Sequence, residues 1–308
     1  MPLAPAQKPI LCLGEAIVDL VCDHEAATLG DATAFSPHFG GALANVAVSA
    51  RRHGAPAALA GGVGDDEWGQ WLRRRLEAEG VGLRWFSLVA GLQTPVAFVT
   101  FGPGREPAFS VYGDGISAGV QAVAPHAEEA VAGASGLVFG SNTLVGEAER
   151  RLTLRARDFA LEIGTPVVFD PNIRANRWDE IETALERCRD AARGARIVRA
   201  NLAEARAMAG LSESAGLAKS ADALCELGCR VAVVTAGADG ALARGEVTAE
   251  AAAPAVEVVS PLGAGDAFLG ALVAGAARGG WGAQAIAAAL PAATLAGARA
   301  CEALEAVA

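Results

Sequence analysis

Gly263-Ala264-Gly265-Asp266 stands immediately ahead of an apolar stretch, Ala267 to Ala277. Small residues let backbone N–H groups come close to an anion, and the apolar run reads as a helix. Those N–H groups then lie at a helix N-terminus, where the peptide dipoles favour negative charge. A carboxylate there competes with a bound phosphate. It has a use if Asp266 takes the proton of a hydroxyl that attacks the phosphate. The four residues imply phosphoryl transfer, with Gly263, Ala264 and Gly265 as an anion cradle and Asp266 as the base.

Other polar groups follow short apolar runs, at the strand ends where a doubly wound sheet binds ligands. Asp19 is the first, although an acidic residue there is equally at home in solvent. Gly40-Gly41-Ala42-Leu43-Ala44-Asn45 joins an extended segment to a helix. Its glycines admit a close ligand and Asn45 offers a donor and an acceptor to a polyol; a plain turn has the same sequence. In Phe169-Asp170-Pro171-Asn172-Ile173-Arg174, Asp170 ends an apolar run and Arg174 could hold a phosphate or carboxylate. Asp-Pro-Asn is also an ordinary turn. Asn201 and Glu204 share a helix face and can hold a hydrated Mg²⁺ through oxygen, or Asn201 can simply cap the helix. Thr235, Gly237 and Gly240 lie where a strand runs into a Gly-rich loop, fit either for nucleotide or for a tight turn.

These groups need a scaffold that brings strand ends together. Apolar runs at Ile10–Gly14, Ala57–Gly62, Leu137–Phe139, Val167–Phe169, Ile197–Val198 and Val231–Val234 read as buried strands. Helices are expected at Leu43–His53, Glu67–Glu79, Glu147–Ile163, Asp179–Arg193, Ala203–Ala209 and Leu217–Leu227, with two Ala-rich helices at the end. Repeated strand–helix units predict an α/β fold, a mainly parallel sheet with helices on both faces. Thr94–Phe101 and Pro107–Tyr112 break the alternation: Gly102-Pro103-Gly104-Arg105 between them marks a hairpin in an accessory sheet. A second hairpin region is expected over Gly240–Val259.

Composition narrows the function classes. The 308 residues carry a formal charge of −10 and no basic run, which disfavours nucleic acid as a partner. Binding ATP then requires local positive charge from backbone N–H groups, single basic residues and metal ions. No secretory signal and no apolar stretch of membrane-spanning length is evident, so a cytoplasmic enzyme that engages no membrane is expected. Six cysteines without a C-x-x-C pair, and four histidines, give no zinc spacing. The Walker P-loop, the protein-kinase motif pair and the Rossmann G-x-G-x-x-G are missing, which disfavours those nucleotide folds.

In this order, the segments resemble the ribokinase-like sugar kinases of the PfkB family, from about Ile10 to the last helix. Gly40-Gly41 with Asn45 resembles the N-terminal signature, and Val63-Gly64-Asp65-Asp66-Glu67-Trp68-Gly69 a second Gly-Asp block. Asn201–Glu204 resembles the magnesium motif, and Gly263–Asp266 with Phe268 and Gly270 the C-terminal signature. Gly14–Leu20, Phe139-Gly140-Ser141 and Asp170–Arg174 with Trp178 look most like bacterial fructokinases. The resemblance implies a three-layer αβα domain spanning 1–308 with a β-sheet lid from about Val18–Phe39 and Thr94–Tyr112. It implies ATP, Mg²⁺ held through water by Asn201 and Glu204, often K⁺, and a homodimer formed through the lid. It implies a sugar, with fructose expected, held by Asp19, Gly40, Gly41, Asn45, Tyr112, Asp170 and Arg174. Nucleotide contacts are expected from Asn201, Thr235, Gly237, Gly240 and Gly265.

Two departures matter. Ser260-Pro261-Leu262 replaces the family's usual Asp-Thr pair before the Gly-Ala-Gly-Asp turn, which bears on K⁺. Gly113 follows Tyr112 where an arginine is common, which bears on the sugar. A 2-keto-3-deoxygluconate kinase, a nucleoside kinase and a non-catalytic sugar or nucleotide sensor are the competing readings.

Overall fold

The computed structural model describes residues 8–102, 107–113 and 115–303. The expected hairpin tip with Arg105 lies outside the described residues. Strands β1 (Ile10–Leu13), β2 (Ile17–Cys22) and β3 (Phe35–Gly40) lead into helix α1 (Ala42–Arg52). Then come β4 (Ala57–Gly64), α2 (Glu67–Ala78), β5 (Gly82–Val89), β6 (Val96–Phe101) and β7 (Pro107–Tyr112). Helices α3 (Gly115–Gln121) and α4 (Ala127–Ala132) precede the alternating half of the chain. That half runs β8 (Gly136–Gly140), α5 (Glu147–Glu162), β9 (Val167–Asp170), α6 (Ile181–Ala192) and β10 (Ile197–Asn201). It continues through α7 (Leu202–Ala209), α8 (Leu217–Glu226) and β11 (Val231–Thr235). Short strands β12 (Ala241–Gly245) and β13 (Ala249–Ala251), then α9 (Ala264–Arg278) and α10 (Ala283–Ala300), complete it.

The nine-stranded sheet has the order β13-β12-β11-β10-β9-β8-β1-β4-β5. Its pairs from β5 to β11 are parallel, and β12 and β13 are added antiparallel. Strands buried on both faces are apolar at nearly every position, which is why β1, β8 and β11 read as continuous runs. Successive side chains feed opposite cores. Ile10 and Cys12 pack with α1, α2, α9 and α10 on one face. Leu11 and Leu13 pack with α4, α5, α6, α7 and α8 on the other. The result is a three-layer αβα sandwich.

Three elements are absent from the sequence expectation. Edge strand β5 alternates half-exposed and exposed residues around Arg84 and Trp85, and shows no apolar run. Helices α3 and α4 have only 7 and 6 residues, too short for a clear helical period. The region 240–259 forms a hairpin only as far as Ala251, and no strand continues to Val259.

From β1 the chain builds outward to β4 and β5 on one side, then crosses to β8 and builds outward to β11 on the other. The switch point is therefore the β1–β8 boundary, where such sheets open a crevice at the strands' carboxyl ends. A separate four-stranded sheet, β3-β2-β6-β7, stands beside it. Its attachment explains the Val63–Gly69 block. Asp66 caps α2 by accepting from Gly69 N at 2.8 Å. It also accepts from Thr94 N at 2.8 Å and Thr94 Oγ1 at 2.7 Å, which fastens the start of β6. No helix among the described residues is long and apolar enough to cross a membrane.

Candidate active site

A cleft opens at the switch point, lined among others by Glu15, Asp19, Asn45, Asn172, Arg174 and Asp266. Asp266 lies in the first turn of α9, whose N-cap Gly263 has φ 71. Ala267 N donates to Gly263 O at 2.8 Å and Ala264 N to Pro261 O at 3.3 Å. The N–H groups of Gly263, Gly265 and Asp266 have no hydrogen-bond partner among the described residues. A helix N-terminus with free N–H groups is an anion site by construction.

Asp266 is 7% exposed. It accepts from Asn45 Nδ2 at 2.9 Å and from Asn172 Nδ2 at 3.4 Å. Burial pushes its pKa up to about 6, with the Glu15 charge acting the same way against the Asn45 hydrogen bond, Arg174 and Arg199. A carboxylate of that basicity, held by two amides beside an anion site, suits a general base.

Asp19 stands across the cleft on β2, 4% exposed. Burial and the nearby Asp266 charge raise its pKa to about 7, opposed by Arg174. A Cβ on Gly40 would collide with the Asp19 carboxylate, so Gly40 serves this site through its lack of a side chain. Gly41, with φ 94, reaches a backbone conformation that L residues rarely adopt and turns the chain into α1. The amide of Ala42, next in the chain, donates to Glu15 Oε1 at 3.2 Å, and Asn142 Nδ2 reaches the same oxygen at 2.9 Å.

A second group of predicted residues gathers at the ends of β9, β10 and β11. Arg199 organises it. Its Nη1 donates to Asp170 Oδ2 at 3.3 Å and its Nη2 to Thr235 Oγ1 at 2.9 Å. The guanidinium also abuts Gly265 and lies over the Phe268 ring at 5.6 Å. Asn201 pairs in register with Thr235. Asn201 and Glu204 form a reciprocal cap: Glu204 N donates to Asn201 Oδ1 at 2.9 Å and Asn201 N to Glu204 Oε2 at 3.0 Å. Glu204 Oε1 accepts from Ile173 N at 2.9 Å, tying the Asp170–Arg174 loop to α7.

Three predicted residues stand elsewhere. Tyr112 does not reach the cleft. Phe109 and Val111 pair with Val99 and Ala97 on the cleft face of β7, and the two-residue period puts Tyr112 on the other face, 55% exposed. Asp170 does not line the cleft either; it is 4% exposed and committed to Arg199. Gly240 is buried against the Ala251–Ala252 backbone, where its φ of 86 closes the turn after β11. Glu15, Asn142 and Asn172 line the cleft without having been singled out, and Arg199 supports it. Each had a faint signal: Glu15 and Asn142 follow strands at their carboxyl ends, and Arg199 interrupts an apolar strand. Asn172 also carries a positive φ of 38.

Comparison with known proteins bears on this geometry. The model of the pfkB family of carbohydrate kinases matches residues 7–300. The chain belongs to that family. Fructokinase-1 of Oryza sativa subsp. japonica is 31% identical over 282 residues, 88% of this chain and 84% of the relative. Aminoimidazole riboside kinase from Salmonella enterica, solved with aminoimidazole riboside and an ATP analogue, is 28% identical with a TM-score of 0.80. That match covers 97% of this chain and 95% of the other. A fructokinase double mutant from Vibrio cholerae O395, in a form with fructose, ADP and potassium ion bound, is 25% identical with a TM-score of 0.83. It covers 98% of this chain and 95% of that one.

In this pfkB-family kinase, with its ribokinase-like sandwich, the Ser260 departure has a local explanation. Ser260 is 0% exposed and its Oγ accepts from Leu262 N at 3.1 Å. The hydroxyl holds the turn into α9, a task a short carboxylate can also perform.

Proposed function

We propose that this kinase transfers the γ-phosphate of ATP to a primary hydroxyl of a small neutral sugar, with fructose as the acceptor. The observation that carries the reading is Asp266: buried, doubly hydrogen-bonded, raised to about 6, and set at the free N-terminus of α9. The carboxylate takes the hydroxyl proton as the oxygen attacks phosphorus, the bond to the ADP oxygen breaks, and the proton passes from Asp266 to solvent. The free N–H groups of Gly263, Gly265 and Asp266 meet the charge on the transferring group, while that of Ala264 is held by Pro261 O. Asp19, the Gly40-Gly41 turn and Asn45 orient the acceptor. The four-stranded sheet acts as a lid over the cleft within one domain, excluding water as a competing acceptor.

The nucleotide lies along Asn201, Thr235, Gly237 and the Gly265 end of α9. Both carboxylate oxygens of Glu204 and the Asn201 carbonyl already accept backbone N–H groups, so they fit a divalent ion through water better than by direct ligation. Mg²⁺ held there supplies charge neutralisation for the phosphates. Among the described residues no group of three His, Cys, Asp or Glu side chains forms a metal site. A homodimer through the lid is part of the proposal. Phe35, Phe98 and Tyr112 stack edge to face at 5.1 and 5.5 Å, and Phe98 and Tyr112 lie on the sheet face turned from the cleft. A cytoplasmic location completes the reading.

The likeness to aminoimidazole riboside kinase keeps a riboside acceptor as the second reading. An ADP-release screen over about a dozen sugars and nucleosides tests both, against the usual kinase scale of about 1–100 turnovers per second. Fructose is expected to lead. A riboside leading would replace the acceptor, and release stimulated by none would return the non-catalytic sensor.

A further inference from the structure

We propose that Glu15 and Asn142 form an acceptor wall at the switch point that selects the sugar through hydroxyls remote from the one phosphorylated. The proposal rests on the sugar-kinase reading of the same cleft. Glu15 sits two residues past the end of β1 and Asn142 two past the end of β8, the adjacent parallel strands between which the sheet reverses direction. Topology thus brings them to the floor of the crevice from chain positions 127 residues apart.

Their hydrogen bonds fix which atoms beside the cleft are left without a partner. Glu15 is 3% exposed. Its Oε1 is engaged by Ala42 N and Asn142 Nδ2, which leaves Oε2 buried without a partner. Donating through Nδ2 leaves Asn142 with its Oδ1 buried and partnerless as well. Asp19 Oδ1 and Asn45 Oδ1 share that state. Among buried side-chain atoms without a partner in the described residues of the cleft lining, four are therefore acceptors and one, Arg177 Nε, is a donor.

Buried acceptors left unpaired are costly, and a ligand rich in donors relieves that cost. A polyol supplies such donors. A carboxylate or phosphate on the acceptor would instead face Glu15, Asp19 and Asp266, with Arg174 and Arg177 the cationic side chains among the described residues of the lining. Asp19, Asn45 and Asp266 handle the reacting end. Glu15 and Asn142 are specificity-determining residues for the rest of the sugar.

Glu15→Gln tests this without changing shape. Two donors hold Oε1, so the glutamine carbonyl must take that place and its NH₂ must replace Oε2. One unpartnered acceptor beside the cleft becomes a donor. For D-fructose the KM is expected to rise about 10- to 100-fold, the loss of a hydrogen bond to a charged group, while kcat changes by less than about threefold. The deciding readout is a set of monodeoxy fructoses. The unmodified enzyme should discriminate against the analogue lacking the hydroxyl that meets Glu15, and Glu15→Gln should lose that discrimination. A purely structural role would weaken all the sugars alike. Circular dichroism checks folding, and Asn142→Ala carries the same comparison if Glu15→Gln does not fold. Unchanged discrimination in a folded variant, with normal turnover of fructose by the unmodified enzyme, would overturn this proposal alone. An unmodified enzyme inactive on fructose would overturn the substrate reading and this proposal with it.

Discussion

Asn45 Nδ2 lies 2.9 Å from Asp266 Oδ2, across 221 residues of chain. The contact joins the first turns of α1 and α9. Gly270 lets these helices approach closely, since a side chain there would strike Ser49, and Ser49 Oγ donates to Ala267 O at 2.9 Å. The Asp266 carboxylate is thus oriented by a helix–helix contact instead of by its own loop. This arrangement holds one carboxylate oxygen firmly and leaves the other only a long contact from Asn172.

Asp266→Asn is expected to lower kcat by about 10²- to 10⁴-fold, the usual loss for a positioned base. ATP and sugar should still bind, as calorimetry would show. A variant retaining more than about a tenth of the kcat would remove Asp266 from the role of base.

The pH dependence should have opposite signs for activity and stability. Asp266 acts only when ionised, so kcat rises with pH through about 6 and then levels. The folded-state pKa values of Asp19 and Asp266 are raised from 3.8 to about 7 and about 6. Their stability contribution is therefore full below the ordinary carboxylate pKa and is lost as pH rises through about 6 to 7. Asp19→Asn cannot ionise. Its Tm should exceed that of the unmodified protein at about pH 8, and the gain should shrink by about pH 5. A gain independent of pH would show that ionisation of Asp19 is not what burdens the fold.

Arg199→Met strands Asp170, a buried acid whose pKa is pushed up by burial despite the opposing arginine. A loss of about 3–5 kcal/mol in urea unfolding is expected, as for other buried pairs broken on one side. Adding Asp170→Asn should recover part of it. A double variant no more stable than the single one would show that Arg199 acts through Thr235 and α9 instead.

Activity should require Mg²⁺ and respond only weakly to K⁺, since Ser260 stands where the family usually has an acid. Titrating each ion at constant ionic strength separates the two. Strong saturable K⁺ activation, in keeping with the potassium in the Vibrio cholerae structure, would show that backbone carbonyls suffice.

Fructose should give a higher kcat/KM than 2-keto-3-deoxygluconate in one coupled assay. Burying a sugar carboxylate among Glu15, Asp19 and Asp266 is costly unless Arg174 or Arg177 reaches it. A clear preference for the acid, lost on Arg174→Ala, would reverse the choice of sugar and leave the kinase intact.

The helix start at Gly263 and the carboxylate in its first turn, the proposed cradle and base, were legible because the signal is local. Gly263 to Asp266 and the apolar run behind them state a helix start, an anion site and a carboxylate within one turn. The parallel sheet was legible too, because strands buried on both faces carry few polar residues, and nearly continuous apolar runs result.

What the tertiary structure alone decided is which of the strand-end residues meet. Glu15 and Asn142 become neighbours only because β1 pairs with β8, and Arg199 reaches Asp170 and Thr235 only across three paired strands. Tyr112 turned from the cleft for the same reason: the β6–β7 register, a non-local fact, sets which alternate residues face it. Sequence spacing specifies the helices and strands, whereas the partners of a side chain depend on pairings and close helix contacts that form only when distant segments condense.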